Sequence, residues 1–247
     1  MKNAVKMTLN PAYEGLRSFV EELPQRFECE GETIYHKRNH IKVIALPDGT
    51  RLNVKRYCTP ILINRFIYST LRRPKAQRAY ENALILAQKG ISTPEPIAYM
   101  LHFKNGLLCE SYLITKQLDL APTFYEFGHG GIAGRETILA DFVHFTCELH
   151  EKGVYHKDYS PGNILFDTQN GATVFALVDI NRVTYKKISV KEGCRNFARL
   201  WGNTDFFEFI AKHYAAERHA DADFCRKEIF AARQKFWAGK HITYEYD

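Results

Sequence analysis

The sequence predicts an α+β chain of two lobes: a small β-rich lobe with one main helix, then a mainly helical lobe. Three observations lead there. Residues 33–115 carry strand patterns and one clear helical pattern; beyond 116, apolar residues recur mostly at helical spacing; and no repeat, low-complexity tract or Pro/Gly/Ser linker intervenes. The expected boundaries are a helical extension over 1–30, a first lobe over 31–115 and a second over 116–247. The join falls near Thr115–Leu118, with a cleft implied between the lobes.

Taken in order, Pro11 to Leu23 reads as a short amphipathic helix, with Leu16, Phe19, Val20 and Leu23 on one stripe and Asn10 as its N-cap. Thr33 to Tyr57 is extended, and segments 41–46 and 51–57 flank the hairpin turn Pro47-Asp48-Gly49-Thr50. A helix follows over Pro74–Lys89, with proline in its first turn and Gly90 just past its end. Strands over Pro96–Phe103 and Leu107–Thr115 are separated by Lys104-Asn105-Gly106. In the second part, Ile138, Phe142, Phe145 and Leu149 form an apolar helical stripe ending before Gly153. Two short strands, Ile164–Phe166 and Thr173–Val178, are joined by a turn over 167–171. Helical patterns then run over 195–213 and 220–237.

Composition restricts the function classes. The 247 residues are 45 % hydrophobic and 25 % charged, as in soluble globular proteins. No apolar run approaches the ~20 residues that cross a bilayer, and Met1 to Asn10 has lysines without an apolar core behind them. A cytoplasmic protein is therefore expected. Cys29, Cys58, Cys109, Cys147, Cys194 and Cys225 include no C-x-x-C pair, which fits reduced thiols rather than a disulfide framework or zinc site. The net charge of +6 suits either an anionic partner or a solvated surface. Its cations cluster at Lys37, Arg38 and His40, at Arg72, Arg73 and Lys75, and at Lys186, Lys187, Lys191 and Arg195.

The chemistry is carried by His156-Lys157-Asp158-Tyr159-Ser160-Pro161-Gly162-Asn163, after a helix and before a short strand. Phosphoryl transfer needs a carboxylate to orient and deprotonate the attacking hydroxyl, and a nearby oxygen ligand for Mg²⁺. Asp158 and Asn163 have that spacing. A polar turn satisfying its own backbone would explain the loop alone. It does not explain Leu177-Val178-Asp179, an apolar strand ending in a carboxylate where a second metal ligand belongs. Upstream, Lys55 lies in the third strand, where a lysine contacts the α- and β-phosphates. Glu81 is the acidic residue of the following helix and the expected partner of Lys55. His156 reads as a brace for the loop.

These segments resemble the lipopolysaccharide kinase family, the Kdo and heptose kinases of the lipopolysaccharide core, which are distant relatives of protein kinases. The resemblance rests on Asn53-Val54-Lys55, on Lys75-Ala76 through Glu81 to Gly90-Ile91-Ser92-Thr93-Pro94-Glu95-Pro96-Ile97-Ala98, on His156 through Leu165, and on Val178-Asp179-Ile180-Asn181-Arg182. It covers roughly residues 30 to 205. It implies a bilobal protein-kinase-like fold, ATP as donor, Mg²⁺ as metal and a core-sugar hydroxyl as acceptor. In those terms Asp158 is the catalytic base, and Asn163 and Asp179 hold the metal. Lys55 and Glu81 serve the phosphates, and Thr115, Lys116, Gln117 and Leu118 receive adenine through backbone groups.

The chain departs from the kinase pattern in several places. Tyr35-His36-Lys37-Arg38-Asn39-His40 replaces a glycine-rich loop, so Lys37 and Arg38 either supply charge to the phosphates or form an ordinary basic hairpin. Asp179 is followed by Ile180-Asn181 rather than Phe-Gly, no Ala-Pro-Glu follows, and Ser160 stands where protein-serine kinases carry lysine. These absences count against a peptide substrate. An anionic saccharide or lipopolysaccharide precursor is the expected partner, met by Arg182, Lys186, Lys187, Lys191 and Arg195, with peripheral contact at the inner membrane and no nucleic acid. The alternatives are a kinase for protein or another small molecule, and a pseudokinase binding module.

Overall fold

A computed structural model of the chain describes residues 3–240 apart from 71, 121, 122, 130 and 170. The turn residue Asn170 and the first two residues of the N-terminal segment read above lie outside that set. The chain divides into two units, Met1–Asp119 and Leu120–Asp247.

The first unit is built on a six-stranded antiparallel sheet. Its strands are β1 (Asn3–Leu9), β2 (Glu32–His36), β3 (Asn39–Ala45), β4 (Arg51–Tyr57), β5 (Pro96–Lys104) and β6 (Leu107–Lys116), in the order β1-β5-β6-β4-β3-β2. The first thirty residues are thus not a helical extension alone, because residues 3–9 pair along β5. The strand is short, but Val5, Met7 and Leu9 alternate with Lys6 and Thr8, and Met7 and Leu9 pack on the core of the sheet. Asn10 ends the strand and starts the helix. Its amide donates to Pro96 O (2.9 Å) while its Oδ1 accepts from Ala12 N–H (3.1 Å).

A 3₁₀ turn over 11–16 leads into α1 (Arg17–Cys29), which continues past Pro24 instead of stopping at Leu23. Proline removes one helical hydrogen bond. Burial of Val20, Leu23 and Phe27 on one stripe, all fully inaccessible, offsets that loss. Those three pack against Leu52, Val54, Ile97, Met100, Tyr112 and Ile114 on one sheet face.

The opposite sheet face carries Tyr57, Leu101 and Leu113, with α2 (Leu62–Thr70) against β6 and α3 (Lys75–Gln88) against β5 and β6. Strand alternation puts Lys55 on the face of Tyr57. Ala76, Ala79 and Ala83 are the small residues α3 buries. The helix stops as expected. Gly90 has φ +69°, Gly90 N–H donates to Ala87 O (3.0 Å) and Ile91 N–H to Leu86 O (2.9 Å), a Schellman motif. At the β5–β6 turn Asn105 and Gly106 both take positive φ, as a two-residue hairpin requires.

In the second unit α4 (Glu136–Glu151) buries Leu139, Phe142, Val143, Thr146, Cys147, Leu149 and His150. Around it stand two antiparallel pairs, β7 (Val154–His156) with β10 (Val183–Tyr185) and β8 (Ile164–Gln169) with β9 (Ala172–Leu177). The pattern over 195–213 is two helices, α5 (Val190–Asn196) and α6 (Thr204–Glu217), broken at Leu200–Asn203. Asn203 caps α6 through Phe206 N–H (3.0 Å), and a side chain at Gly202 would meet the Phe206 ring at 2.4 Å. The last helix is α7 (Ala222–Trp237). Phe124, Phe127, Phe142, Phe197, Phe206 and Phe207 are all buried in this unit. Among the described residues no helix is long and apolar enough to cross a membrane.

Candidate active site

The loop between β7 and β8 is fixed at both ends by the sheets it joins. His156 sits opposite Val183, and Ile164 opposite Leu177. Inside the loop Ser160 N–H donates to Asp158 O (2.8 Å) and Asn163 N–H to Ser160 O (2.9 Å). The Asn163 side-chain NH₂ donates to Asp158 O (2.8 Å) and Ser160 Oγ (3.2 Å). Both amide protons are therefore used within the loop. The side-chain carbonyl oxygen is left as the group that could hold a metal, a hard donor of the kind Mg²⁺ takes.

His156 joins this loop to the strand that ends in Asp179. Its Nε2–H donates to Val178 O (3.2 Å), and its Nδ1 accepts from Asp158 N–H (3.1 Å). Val178 N–H closes the link by donating to Asn163 O (3.0 Å). Burial pushes the His156 pKa below its ordinary value, so the ring is neutral at pH 7. Asp179 itself is left-handed (φ +53°, ψ +41°), a conformation costing roughly 1–2 kcal/mol outside glycine. Asn181 Nδ2 donates to its Oδ1 at 2.6 Å. A left-handed carboxylate braced in this way makes Asp179 a candidate functional position.

A buried chain supports the loop from beneath. Asn196 Nδ2 donates to His156 O (3.0 Å), and His150 Nε2–H donates to Asn196 Oδ1 (3.1 Å). Tyr214 O–H donates to His150 Nδ1 (2.8 Å), and Arg218 donates to Tyr214 Oη (2.9 Å). Burial lowers the His150 pKa to about 4, which keeps it neutral and able to accept from Tyr214. Gly193 is required here, since a Cβ would stand 1.8 Å from Tyr214 Oη and 2.9 Å from His150 Nδ1. Tyr159, fully buried, shares a 2.8 Å hydrogen bond with Thr146. None of these supports was read from the sequence. Their one visible signal is polar residues, Thr146 and His150, at helical spacing inside an apolar stripe.

Two arginines hold the Asp158 carboxylate. Arg199 donates to Oδ1, and the Arg182 guanidinium stands 3.7 Å from Oδ2. Arg182 was expected on the acceptor side; Arg199 was hidden inside a pattern read as continuous helix. The remaining basic strip is different, because its charges are taken within the chain. Lys186 pairs with Glu192, and Lys191 (2.9 Å) and Arg195 (3.4 Å) share Glu228. Lys187 is exposed.

In the first unit, Lys55 Nζ lies 5.2 Å from the centre of the Tyr57 ring. Glu81 does not face inward. Its side chain is 32 % exposed, and its two oxygens accept from Arg73 (2.8 Å) and Gln77 (2.9 Å). The buried face of α3 falls instead on Tyr80, Asn82, Ala83 and Leu86. Lys37 and Arg38 form the exposed β2–β3 turn, and Arg38 lines a pocket of about 160 Å³ with Tyr57, Cys58, Tyr68 and Lys75. At the end of β6, Thr115 is buried and Lys116 N–H donates to Glu95 O (2.9 Å). Gln117 N–H donates to Arg51 O (2.8 Å). The Gln117 side chain bridges Asn53 Nδ2 (2.8 Å) and Leu118 O (2.8 Å). Three backbone groups in the segment expected to receive adenine are thus used within the unit.

The model of the lipopolysaccharide kinase (Kdo/WaaP) family matches residues 33–222. Among solved structures, WaaP in complex with acyl carrier protein superposes with a TM-score of 0.60 at 14 % identity, covering 94 % of this chain and 99 % of that one. The Rio2 kinase–ADP/Mg²⁺–phosphoaspartate complex from Chaetomium thermophilum gives a TM-score of 0.50 at 14 % identity, over 94 % and 73 %. Both share the kinase-like fold. No curated protein matches the sequence.

Proposed function

The chain belongs to the lipopolysaccharide kinase (Kdo/WaaP) family, a kinase of lipopolysaccharide core sugars, and from that premise we propose that it moves the γ-phosphoryl group of ATP, with Mg²⁺, onto a Kdo or heptose hydroxyl. The observation that carries this reading is the loop in which Asn163 and the backbone of Asp158 are locked together beside the strained Asp179. Bound Mg²⁺–ATP would supply the transferable group and neutralise charge developing on it. Asp158 would orient the acceptor hydroxyl and take its proton, which requires its arginine partners to yield. Asn163 and Asp179 would hold the metal by oxygen, as Mg²⁺ prefers when substrate phosphates complete its shell. Lys55 would meet the α- and β-phosphates. Glu81, engaged by Arg73 and Gln77, would exchange partners to pair with it.

The acceptor would be an acidic saccharide of the inner core, met on the cytoplasmic side of the membrane that carries it. A radiolabelled-ATP assay with a Kdo-bearing core saccharide and casein in parallel, with and without Mg²⁺, tests the reading. Label should enter the saccharide alone and only with Mg²⁺. Equal labelling of casein would overturn the sugar acceptor.

A further inference from the structure

The positive charge of the second unit is not spread evenly. Lys186, Lys191 and Arg195 are neutralised by Glu192 and Glu228. Arg182 and Arg199 share a single carboxylate, that of Asp158, and among the described residues neither has a second acidic partner. Lys240 adds to the excess, since its ammonium lies against the Phe236 ring over which the Arg199 guanidinium is stacked at 4.7 Å. Two guanidiniums thus converge on the one carboxylate of Asp158, where the acceptor hydroxyl would arrive.

That arrangement conflicts with the proposed role of Asp158. Arg199 donates to one oxygen of the carboxylate and the Arg182 guanidinium faces the other, so an acceptor hydroxyl gains a clear approach to Asp158 only when at least one arginine moves. An incoming anion is the group able to draw an arginine away without leaving it unpaired. Both arginines are placed for the exchange. The Arg182 side chain is 49 % exposed, and beyond Asp158 Arg199 is held by the face of the Phe236 ring.

Building on the sugar-kinase reading, we infer that Arg182 and Arg199 form an anion-reading pair for the acceptor. They hold Asp158 in the empty enzyme and transfer to a carboxylate carried by the sugar beside the hydroxyl to be phosphorylated. The acceptor class this selects is an acidic, ulosonate-type sugar rather than a neutral heptose. The pair also acts as an interlock, since Asp158 is released for its role only when the correct acid is present.

The test uses the full chain, a Kdo-bearing saccharide, and the same saccharide with its carboxylate reduced to an alcohol. Calorimetric affinity for each is measured in the wild type, R182Q, R199Q and R199K. The wild type should prefer the acid by about tenfold or more, the scale of a charge-assisted pair. R182Q and R199Q should lose that preference, R199K should keep part of it, and affinity for Mg²⁺–ATP should stay unchanged in all three. Equal wild-type affinity for both saccharides would refute the inference. So would binding of neither, parallel weakening of both in the variants, or an effect confined to Mg²⁺–ATP. If the wild type prefers the acid yet transfers no phosphate to it, the anion pair stands and the kinase reading falls. If it phosphorylates both equally, the reverse holds.

Discussion

The site residues of the first unit and those of the second are held in different ways. In the second unit Asp158, Asn163 and Asp179 sit on a loop and strand end stitched together by buried backbone bonds and by His156, with Asn196 and His150 beneath. In the first unit Glu81 is on a helix surface with two side-chain partners, and Lys37 and Arg38 are on an exposed turn. A loop spanning eight residues can be fixed by its own backbone and the strands at either end. A pair drawn from a strand and a later helix depends on helix rotation, and here α3 gives Glu81 to Arg73 and Gln77. The Asp158–Asn163 loop is therefore fixed by backbone, whereas Glu81 in the first unit and the two arginines on Asp158 in the second are held by side chains alone.

Four measurements can break or sharpen that contrast. The largest effect is expected for Asp158→Asn, with turnover falling by a factor on the order of 10² or more and little change in melting temperature, since the side chain is partly exposed. Near-normal turnover would remove Asp158 from the chemistry.

Acid should unfold the second unit through His150. Its pKa is about 4 in the folded protein and near 6.5 unfolded, so the unfolded chain binds the extra proton between those values. Stability is then complete above about pH 6.5 and declines as pH falls toward 4, by about 3 kcal/mol. His156, also shifted downward by burial, acts in the same direction. Denaturant titrations at pH 7.5 and 4.5 give the difference, and an unchanged midpoint would mean the ring is not held neutral.

Asn196→Ala leaves the carbonyl of His156 and Nε2–H of His150 without their partner, and should cost about 2 kcal/mol or more in unfolding free energy. Turnover should drop with it, while ATP affinity stays constant. The smallest effect is expected for Glu81→Gln. It should change the KM for ATP by less than about fivefold, the scale of an exposed ion pair. A hundredfold loss would instead show that Glu81 abandons Arg73 for Lys55 in the working enzyme.

The same contrast decides what could be read from the sequence. The hairpin around Gly49, the β5–β6 turn and the α3 stop were legible because glycine and asparagine mark positive φ. The Asp158–Asn163 loop was legible because its chemistry is compressed into one short segment. Strand β1 was not, although Val5, Met7 and Leu9 alternate along it: so short a segment, with Lys6 and Thr8 between them, is a weak signal until its pairing with β5 is seen. The contacts of Glu81 with Arg73 and Gln77 were not legible, because helix rotation is set by packing and even the apolar Leu84 near it is 37 % exposed. Arg199, Asn196 and Tyr214 were illegible for another reason. Their roles come from contacts made across 41, 40 and 64 residues, and no local pattern encodes these.

The hydrogen-bond chain beneath the loop also has only one way to arrange its protons. Arg218 at one end can only donate, and the carbonyl of His156 at the other can only accept. Each group between them must therefore pass the same polarity along: Tyr214 gives its proton to His150, His150 gives Nε2–H to Asn196, and Asn196 turns its NH₂ to the loop. The flip of one amide and the tautomer of one imidazole are thus set by the carbonyl of His156, with Arg218 closing the far end as a donor. Nitrogen NMR should find His150 in the Nε2–H form alone, with no exchange between tautomers. The floor under Asp158 is in this sense a one-way structure, and its direction is written in by residues that never meet a substrate.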